Sequence, residues 1–124
     1  MSRARVVFGK LGEDLACREL RRRGYAIVAR RYRRRGGELD IIARDGETMV
    51  FVEVKAREGA EFGQPGEAVT GWKRRRIVDL AMDYLVRHRL LNRPCRFDVV
   101  AIRVESGIPM IQVYQNAFDS SGVR

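Results

Sequence analysis

Apolar residues recur at helical spacing in two segments of the chain. The first predicts a helix over about 8–23, which Gly24 would end. The second predicts a helix over about 70–91. The apolar positions are Phe8, Leu11, Leu15, Ala16 and Leu20 in the first segment and Ile77, Leu80, Ala81, Tyr84 and Leu85 in the second.

Alternating or continuous apolar patterns predict strands in five further segments. Three lie between the helices, at 25–34, 38–44 and 48–56, and two follow the second helix, at 96–104 and 109–115. The element order is therefore αβββαββ. This order predicts an α/β fold in which a mixed five-stranded sheet has a helix on either side.

The chain has the length of one domain. We place that domain at 8–117, with an N-terminal tail at 1–7 and a C-terminal tail at 118–124. The segment 58–67 contains several glycines and a proline and has no periodicity, so it is predicted to be a mobile loop.

Charged residues interrupt two of the predicted strands. Asp40 lies in the run Leu39–Ile42, and Glu53 and Lys55 lie in the run Val50–Lys55. Both runs are otherwise apolar, as in buried strands. Because a lone buried carboxylate is costly without a counter-charge or metal, these residues are candidates for a functional site.

The turn between the two strands sets the faces of their side chains. Residues 44–47 are a strong hairpin-turn signal. A loop of two or four residues gathers the charges on one face and leaves the other face apolar, whereas three residues would mix them. The first face would then contain Asp40, Phe51, Glu53 and Lys55, and the second Leu39, Ile41, Ala43, Val50, Val52 and Val54.

Two interpretations of this cluster remain open. Asp40 and Glu53 have the oxygen ligands that Mg²⁺ prefers, and Lys55 could hold a phosphate or help to deprotonate an attacking water. The alternative is a structural ion pair between Lys55 and one of the carboxylates.

Composition narrows the class of protein. No apolar run is long enough to span a membrane, and the N-terminus has no segment of signal-peptide type. Cys17 and Cys95 lack metal-ligand spacing, which favours reduced thiols and a cytoplasmic location. The single histidine, His88, argues against a zinc site built on histidines and against a Ser-His-Asp triad.

The net charge of +9 comes mostly from arginine clusters. Such a charge is typical of a nucleic-acid-binding protein, although it is also compatible with a solvated surface. The cluster 73–76 follows a predicted helix start, where cations oppose the helix dipole, so it is the better candidate for phosphate contacts. The candidate nucleic-acid-binding residues are Arg34, Arg35, Arg57, Lys73, Arg74, Arg75 and Arg76.

Two further residues have open roles. Glu13 lies on the inner flank of the first helix, either as an N-terminal acid that favours the dipole or as a third carboxylate directed towards the cluster. Trp72 is a candidate platform for base stacking and equally a candidate cap on the core.

Five motifs together resemble one protein family. They are Gly12-Glu13-x-x-Ala16, Gly37-Glu38-Leu39-Asp40-Ile41-Ile42, Val52-Glu53-Val54-Lys55-x-Arg57, Phe62-Gly63-x-Pro65-x-Glu67-Ala68-Val69-Thr70 and Arg96-Phe97-Asp98-Val99-Val100. From about Gly9 to Ala117, the chain resembles the YraN family of small bacterial proteins. That family is similar to Holliday junction resolvases and to restriction-endonuclease-like nucleases with the PD-(D/E)xK signature.

The resemblance implies a restriction-endonuclease-like core and a Mg²⁺-dependent phosphodiesterase site, with Mn²⁺ as an alternative metal. Asp40 and Glu53 would be metal ligands, Lys55 the catalytic lysine and Glu13 the acid that resolvases use from their first helix. Leu39 replaces the signature proline, which is not a metal ligand.

The leading hypothesis is a metal-dependent endonuclease acting on branched or otherwise structured DNA. The alternative is a DNA- or RNA-binding module without turnover, in which the carboxylates pair with Lys55 and Arg57. DNA is favoured over RNA as the partner, no membrane is expected, and the likeness to resolvases implies a homodimer.

Overall fold

The computed structural model describes residues 3–58 and 70–119, with side chains described for 9–57 and 70–119. Its elements are α1 (Arg3–Arg22), β1 (Ala26–Arg34), β2 (Gly37–Asp45), β3 (Thr48–Glu58), α2 (Gly71–Arg87), β4 (Cys95–Glu105) and β5 (Ile108–Phe118). The loop predicted at 58–67 lies outside the described residues except for Glu58, which ends β3.

The five strands form one mixed sheet in the order β1-β2-β3-β4-β5. Only β3 and β4 pair in parallel; the other neighbours are antiparallel. A parallel pair needs a long crossover, and the segment that includes α2 provides it. The predicted α/β class and the order αβββαββ are confirmed.

Each face of the sheet has its own core. On one face, residues of α1 pack over Ile41, Val50 and Val52; on the other, residues of α2 pack over Ile42 and Phe51. The alternation predicted for β3 is therefore confirmed. The placement of Leu39 beside Ile41 is wrong, since Leu39 belongs to the core under α2.

The β2–β3 hairpin has the shortest of the predicted turns. Asp45 pairs with Thr48, which leaves Gly46 and Glu47 as a two-residue loop. Gly46 has a φ of 60°, a left-handed conformation that glycine adopts without steric cost. The two-residue loop places the charged residues of both strands on one face of the sheet, which is the arrangement that the apolar pattern predicted.

Helix α1 begins at Arg3, within the segment predicted as an N-terminal tail. It lies close to the sheet at Gly12, where an added Cβ would lie 2.9 Å from the Cβ of Ala56. Leu11, which the periodicity placed on the packing face, is half exposed. The missing side chain of Gly12 thus allows the helix to lie close to β3.

Helix α2 starts where the sequence predicted and ends earlier, at Arg87 rather than near residue 91. Thr70 is the N-cap, and its side chain accepts a hydrogen bond from the backbone N–H of Lys73 at 3.3 Å. All the apolar positions predicted for this helix are buried.

The sheet extends into the segment predicted as a C-terminal tail. Phe118 ends β5, is buried, and stacks on Phe97 with ring centroids 5.1 Å apart.

Cys17 is buried and Cys95 exposed, and they are not bonded to each other. Among the residues described, neither helix combines the length and apolar character of a membrane span.

Candidate active site

Two carboxylates meet in the middle of the sheet. Ile41 of β2 pairs with Val52 of β3 at the end of the register between these strands, and just beyond it a side-chain hydrogen bond joins Asp40 to Glu53. The Oδ2 atom of Asp40 accepts a hydrogen bond from the backbone N–H of Val54 at 2.8 Å. Asp40 is half-buried and Glu53 is buried, so the predicted meeting of the two residues is observed.

Asp40 is electrostatically perturbed. Burial, the hydrogen bond with Glu53 and the negative charge of Glu53 together raise the pKa of Asp40 from 3.8 to about 8. The N–H of Val54 and the charge of Lys73 act in the opposite direction without offsetting this rise. The pair therefore carries more negative charge at high pH than its surroundings compensate, which favours binding of a proton or another cation.

Two lysines approach the same oxygen of Glu53. The Nζ atom of Lys55 lies 3.8 Å from Oε2 of Glu53, and the Nζ atom of Lys73 makes a closer ion pair with it. Lys55 extends from β3, two residues after Glu53, whereas Lys73 reaches the site from the first turn of α2. The site thus combines two carboxylates and two ammonium groups.

The two ammonium groups differ in their pKa. Burial, followed by the nearby positive charge of Lys73, lowers the pKa of Lys55. Burial is the largest single influence on Lys73 and disfavours its charge, but its hydrogen bonds to Glu53 and Lys55 and the negative charges of Glu53 and Asp40 together outweigh burial and raise the pKa of Lys73. Lys55 is therefore the better of the two lysines for proton transfer near neutral pH.

Sequence reasoning assigned Lys73 to phosphate contacts, and the structure places it on a carboxylate. Its position three residues after an N-cap threonine was the available signal that it lies in the first turn of α2. The direction of its side chain depends on how α2 packs on the sheet.

Glu13 is not part of this cluster. Its carboxylate pairs with Nε of Arg30 at 2.9 Å and with Nε of Arg31 at 3.2 Å. It also lies in the middle of α1 rather than in its first turn, so its interpretation as an N-terminal acid is wrong. Within residues 3–58 and 70–119, no group of three histidine, cysteine or acidic side chains could hold a metal ion.

Asp40 and Glu53 nevertheless fit Mg²⁺. This ion keeps several waters and is commonly held by one or two carboxylates together with phosphate oxygens of a substrate. The observation from this structure is the raised pKa of Asp40 beside Glu53, an arrangement that a divalent cation would stabilise. The ammonium of Lys73 already places one positive charge there.

The candidate nucleic-acid-binding arginines differ in their contacts. Arg74 lies over the ring of Phe118, and Arg76 lies over Trp72 and donates to the carbonyl of Gly36. The remaining positions are Arg34, paired with Asp83 at 3.3 Å, and the exposed residues Arg35, Arg57 and Arg75.

Comparison with known proteins identifies the family. Residues 12–102 match the uncharacterised protein family UPF0102. The chain belongs to the UPF0102 family. The resemblance to the YraN family, which is the same group, is thereby confirmed.

Relatives in UPF0102 match over most of their length. The UPF0102 protein of Symbiobacterium thermophilum is 49% identical over 111 residues, which cover 89% of this chain and 94% of the relative. That of Geobacter sulfurreducens is 48% identical over 114 residues, covering 91% and 89%. That of Geobacter metallireducens is 46% identical over 111 residues, covering 90% and 91%.

A third buried carboxylate of this UPF0102 chain, Asp98, was missed as a candidate. It is 0% exposed and accepts hydrogen bonds from Tyr25 Oη at 3.2 Å, Arg96 Nε at 3.0 Å and the backbone N–H of Asn116 at 2.9 Å. It interrupts an apolar run, the same signal that singled out Asp40. With Tyr25 in the core under α1, its network lies on the opposite face from Glu53.

Proposed function

We propose that this protein is a Mg²⁺-dependent endonuclease that hydrolyses phosphodiester bonds in branched or otherwise structured DNA. The observation that carries the proposal is the pair Asp40–Glu53, two carboxylates held together within a sheet with Lys55 beside them. A carboxyl whose pKa is raised to about 8 beside a second carboxylate and a lysine is an arrangement that functional sites use.

In this proposal, Asp40 and Glu53 hold the ion with oxygen ligands. When bound, Mg²⁺ polarises a phosphoryl oxygen and lowers the pKa of a coordinated water. Lys55, 3.8 Å from Glu53, lies where it can orient the attacking water and exchange a proton with it. The lowered pKa of Lys55 supports this role, because a group that titrates nearer neutral pH both accepts and donates protons.

Lys73 has a different part in the same site. Without the ion, its ammonium neutralises Glu53. With a divalent ion held at Glu53, Lys73 would be free to pair with a phosphate oxygen of the substrate. The phosphate contact expected of Lys73 from the sequence thus depends on the ion being bound.

The substrate class follows from the family resemblance and from the charge. Resolvase-like nucleases act on branched DNA as symmetric dimers, so we extend both the substrate and the dimer to this protein. A net charge of +9 supports a polyanionic partner. The unpaired thiols Cys17 and Cys95 fit a reducing compartment, the cytoplasm.

Cleavage assays test the proposal directly. Junction, flap, duplex and single-stranded DNA, with an RNA strand for comparison, would be incubated with Mg²⁺ or Mn²⁺. We expect wild type to cut at least one DNA substrate, and Asp40→Asn and Lys55→Met to lose cutting while still binding. Glu47→Gln, in the exposed hairpin turn, and Lys10→Met, on the exposed surface of α1, are matched controls that should cut normally. Cleavage that survives Asp40→Asn would refute the assignment.

A second function is favoured by a specific observation. The ion pairs of Glu53 with Lys73 and Lys55 satisfy that carboxylate without any metal. In that case the protein is a DNA- or RNA-binding module on a nuclease-like fold. Calorimetric titration with Mg²⁺ separates the two functions: binding that Asp40→Asn abolishes supports the nuclease, and no heat at millimolar Mg²⁺ supports the module.

A further inference from the structure

The single tryptophan of the chain lies on the surface beside the candidate active site. Trp72 is 65% exposed, so it does not cap the core. It lies in the first turn of α2, next to Lys73, and the guanidinium of Arg76 lies 4.7 Å from the centroid of its ring. An exposed indole supported by an arginine is a surface on which a planar ring can stack.

Arg76, which lies over this tryptophan, also lines a groove of about 310 Å³. The groove separates α2 from the turn between β1 and β2, and Arg76 bridges the two elements by donating to the carbonyl of Gly36. Its lining residues are Arg34, Arg35, Gly36, Arg76, Asp79, Leu80 and Asp83. A Cβ added at Gly37 would lie 2.7 Å from Nε of Arg76, so the glycine leaves room for this bridge.

The charges of the groove match a nucleotide better than a bare phosphate. Asp83 is already engaged by Tyr32 at 2.7 Å and by Arg87. Within the described residues, no ion pair involves Arg35 or Asp79. The groove therefore offers one cation and one hydrogen-bond acceptor, the first suited to a phosphate and the second to an N–H group on the edge of a base.

The groove is close to the carboxylate pair. Gly37 and Asp40 are three residues apart on β2, a separation of about 10 Å in an extended strand. Lys73 and Trp72 are adjacent in α2: Lys73 pairs with Glu53 of the site, and Trp72 contacts Arg76, which lines the groove. A nucleic-acid strand at Asp40 and Glu53 would reach Trp72 with one of the nucleotides that flank the scissile phosphate.

We propose that this groove, with Trp72, binds one unpaired nucleotide next to the scissile phosphate. The base stacks on the indole supported by Arg76, its edge faces Asp79, and Arg35 pairs with its phosphate. This inference rests on the proposed function and deepens it, since a base inside a continuous duplex is covered by its neighbours and cannot stack on a protein ring. The substrate is then a strand with unpaired bases, as at a flap or a branch point.

Tryptophan fluorescence tests the proposal without any cleavage. Because Trp72 is the only tryptophan, its emission reports this site alone. Wild-type protein in EDTA would be titrated at low salt with a short oligothymidylate and with an abasic strand of equal length and charge. We expect the oligothymidylate to quench the emission strongly and the abasic strand to bind with little quenching.

Other results overturn the proposal. Equal quenching by the abasic strand would show that phosphates alone are bound, and binding without quenching would place the strand elsewhere. A loss of all binding would overturn the proposal together with any nucleic-acid function. Emission that shifts to the red when the free protein is diluted would place Trp72 in a contact between two copies of the chain.

Substitution of Trp72 distinguishes this site from the catalytic one. Fluorescence anisotropy of labelled single-stranded DNA in EDTA should show binding about ten-fold weaker for Trp72→Leu and near wild type for Trp72→Phe. Duplex binding should be unchanged. Val86→Ala, another exposed apolar position of α2, is the control and should bind normally. Failure of cleavage alone, with stacking intact, would count against the proposed nuclease and not against this groove.

Discussion

The ammonium of Lys73, from the first turn of α2, forms an ion pair with the carboxylate of Glu53 in the middle of β3. This contact joins the crossover helix to the site. It also gives Glu53 a charge partner that a divalent metal would replace. Metal binding and the position of the start of α2 are therefore linked.

Replacement of Lys73 by methionine should lower stability in EDTA and increase the effect of Mg²⁺. Loss of the charge partner leaves the buried Glu53 less well compensated, at a cost of about 1–3 kcal/mol. Since the competing cation is gone, added Mg²⁺ should raise the melting temperature of Lys73→Met more than that of wild type. Thermal unfolding with and without Mg²⁺ measures both effects, with Lys10→Met as the control. Identical gains in both proteins would show that Lys73 and the metal do not compete.

Stability should fall as pH rises, because of Asp40. Its pKa is 3.8 in an ordinary environment and about 8 in the folded protein, so between these values the folded state retains a proton that the unfolded state has released. The free energy of unfolding therefore decreases across this window, by at most about 1.4 kcal/mol per pH unit.

The matching variant is Asp40→Asn, which should remove this pH dependence and be more stable than wild type at pH 8. Urea unfolding at intervals between pH 5 and pH 8 measures both slopes. Glu47→Gln, in the exposed turn, should keep the wild-type slope. If Asp40→Asn unfolds more easily than wild type at pH 8, the carboxylate pair is not under electrostatic strain.

Replacement by alanine should change the stability of the protein in opposite directions at two glycines of α1. Gly12→Ala places a Cβ 2.9 Å from that of Ala56 and should destabilise the fold by about 1–3 kcal/mol. Among the residues that the structure describes, no atom lies within 4 Å of a Cβ added at Gly9, so Gly9→Ala should stabilise by about 0.5–1 kcal/mol through helix propensity. Chemical denaturation of the two variants measures the contrast. Equal effects would mean that α1 does not approach β3 as closely as described.

Removal of the buried carboxylate Asp98 should destabilise the fold without changing the candidate active site. Asp98→Ala leaves the Arg96 guanidinium and the Tyr25 hydroxyl without their shared acceptor, at a cost of about 3–5 kcal/mol. Tyr25→Phe removes one donor to Asp98 and the hydroxyl that accepts from Arg96 and Gln115, leaves Asp98 with its other donors, and should cost less, about 1–3 kcal/mol. Denaturation gives the stabilities, and the Mg²⁺ affinity of the folded variants should equal that of wild type. A lost metal site in Asp98→Ala would connect the two faces of the sheet.

Short-range sequence patterns were sufficient to predict much of the sheet. The β2–β3 hairpin follows from period-two alternation and a glycine-containing turn, because a one-residue slip would move every side chain of the strand to the opposite face of the sheet. The meeting of Asp40 with Glu53 follows from the same register. The start of α2 could also be predicted from the sequence, because a threonine N-cap accepts a hydrogen bond from a backbone N–H only a few residues away.

Other features depended on packing between distant segments. Glu13 was expected near Asp40, yet it pairs with two consecutive residues, Arg30 and Arg31. Arg31 has a φ of 53°, which breaks the alternation of side chains along β1 and lets both arginines reach α1. No short-range pattern marks an arginine for a left-handed conformation.

The sequence by itself determined the order of elements, the apolar faces of the central hairpin and the gathering of Asp40, Glu53 and Lys55, because these depend on chain neighbours and on the two-residue period of a strand. Only the tertiary structure decided that Lys73 neutralises Glu53, that Glu13 is bound by β1 and that Trp72 faces solvent beside a groove. Those outcomes depend on the distance and rotation of each helix against the sheet, which the packing of both cores sets together.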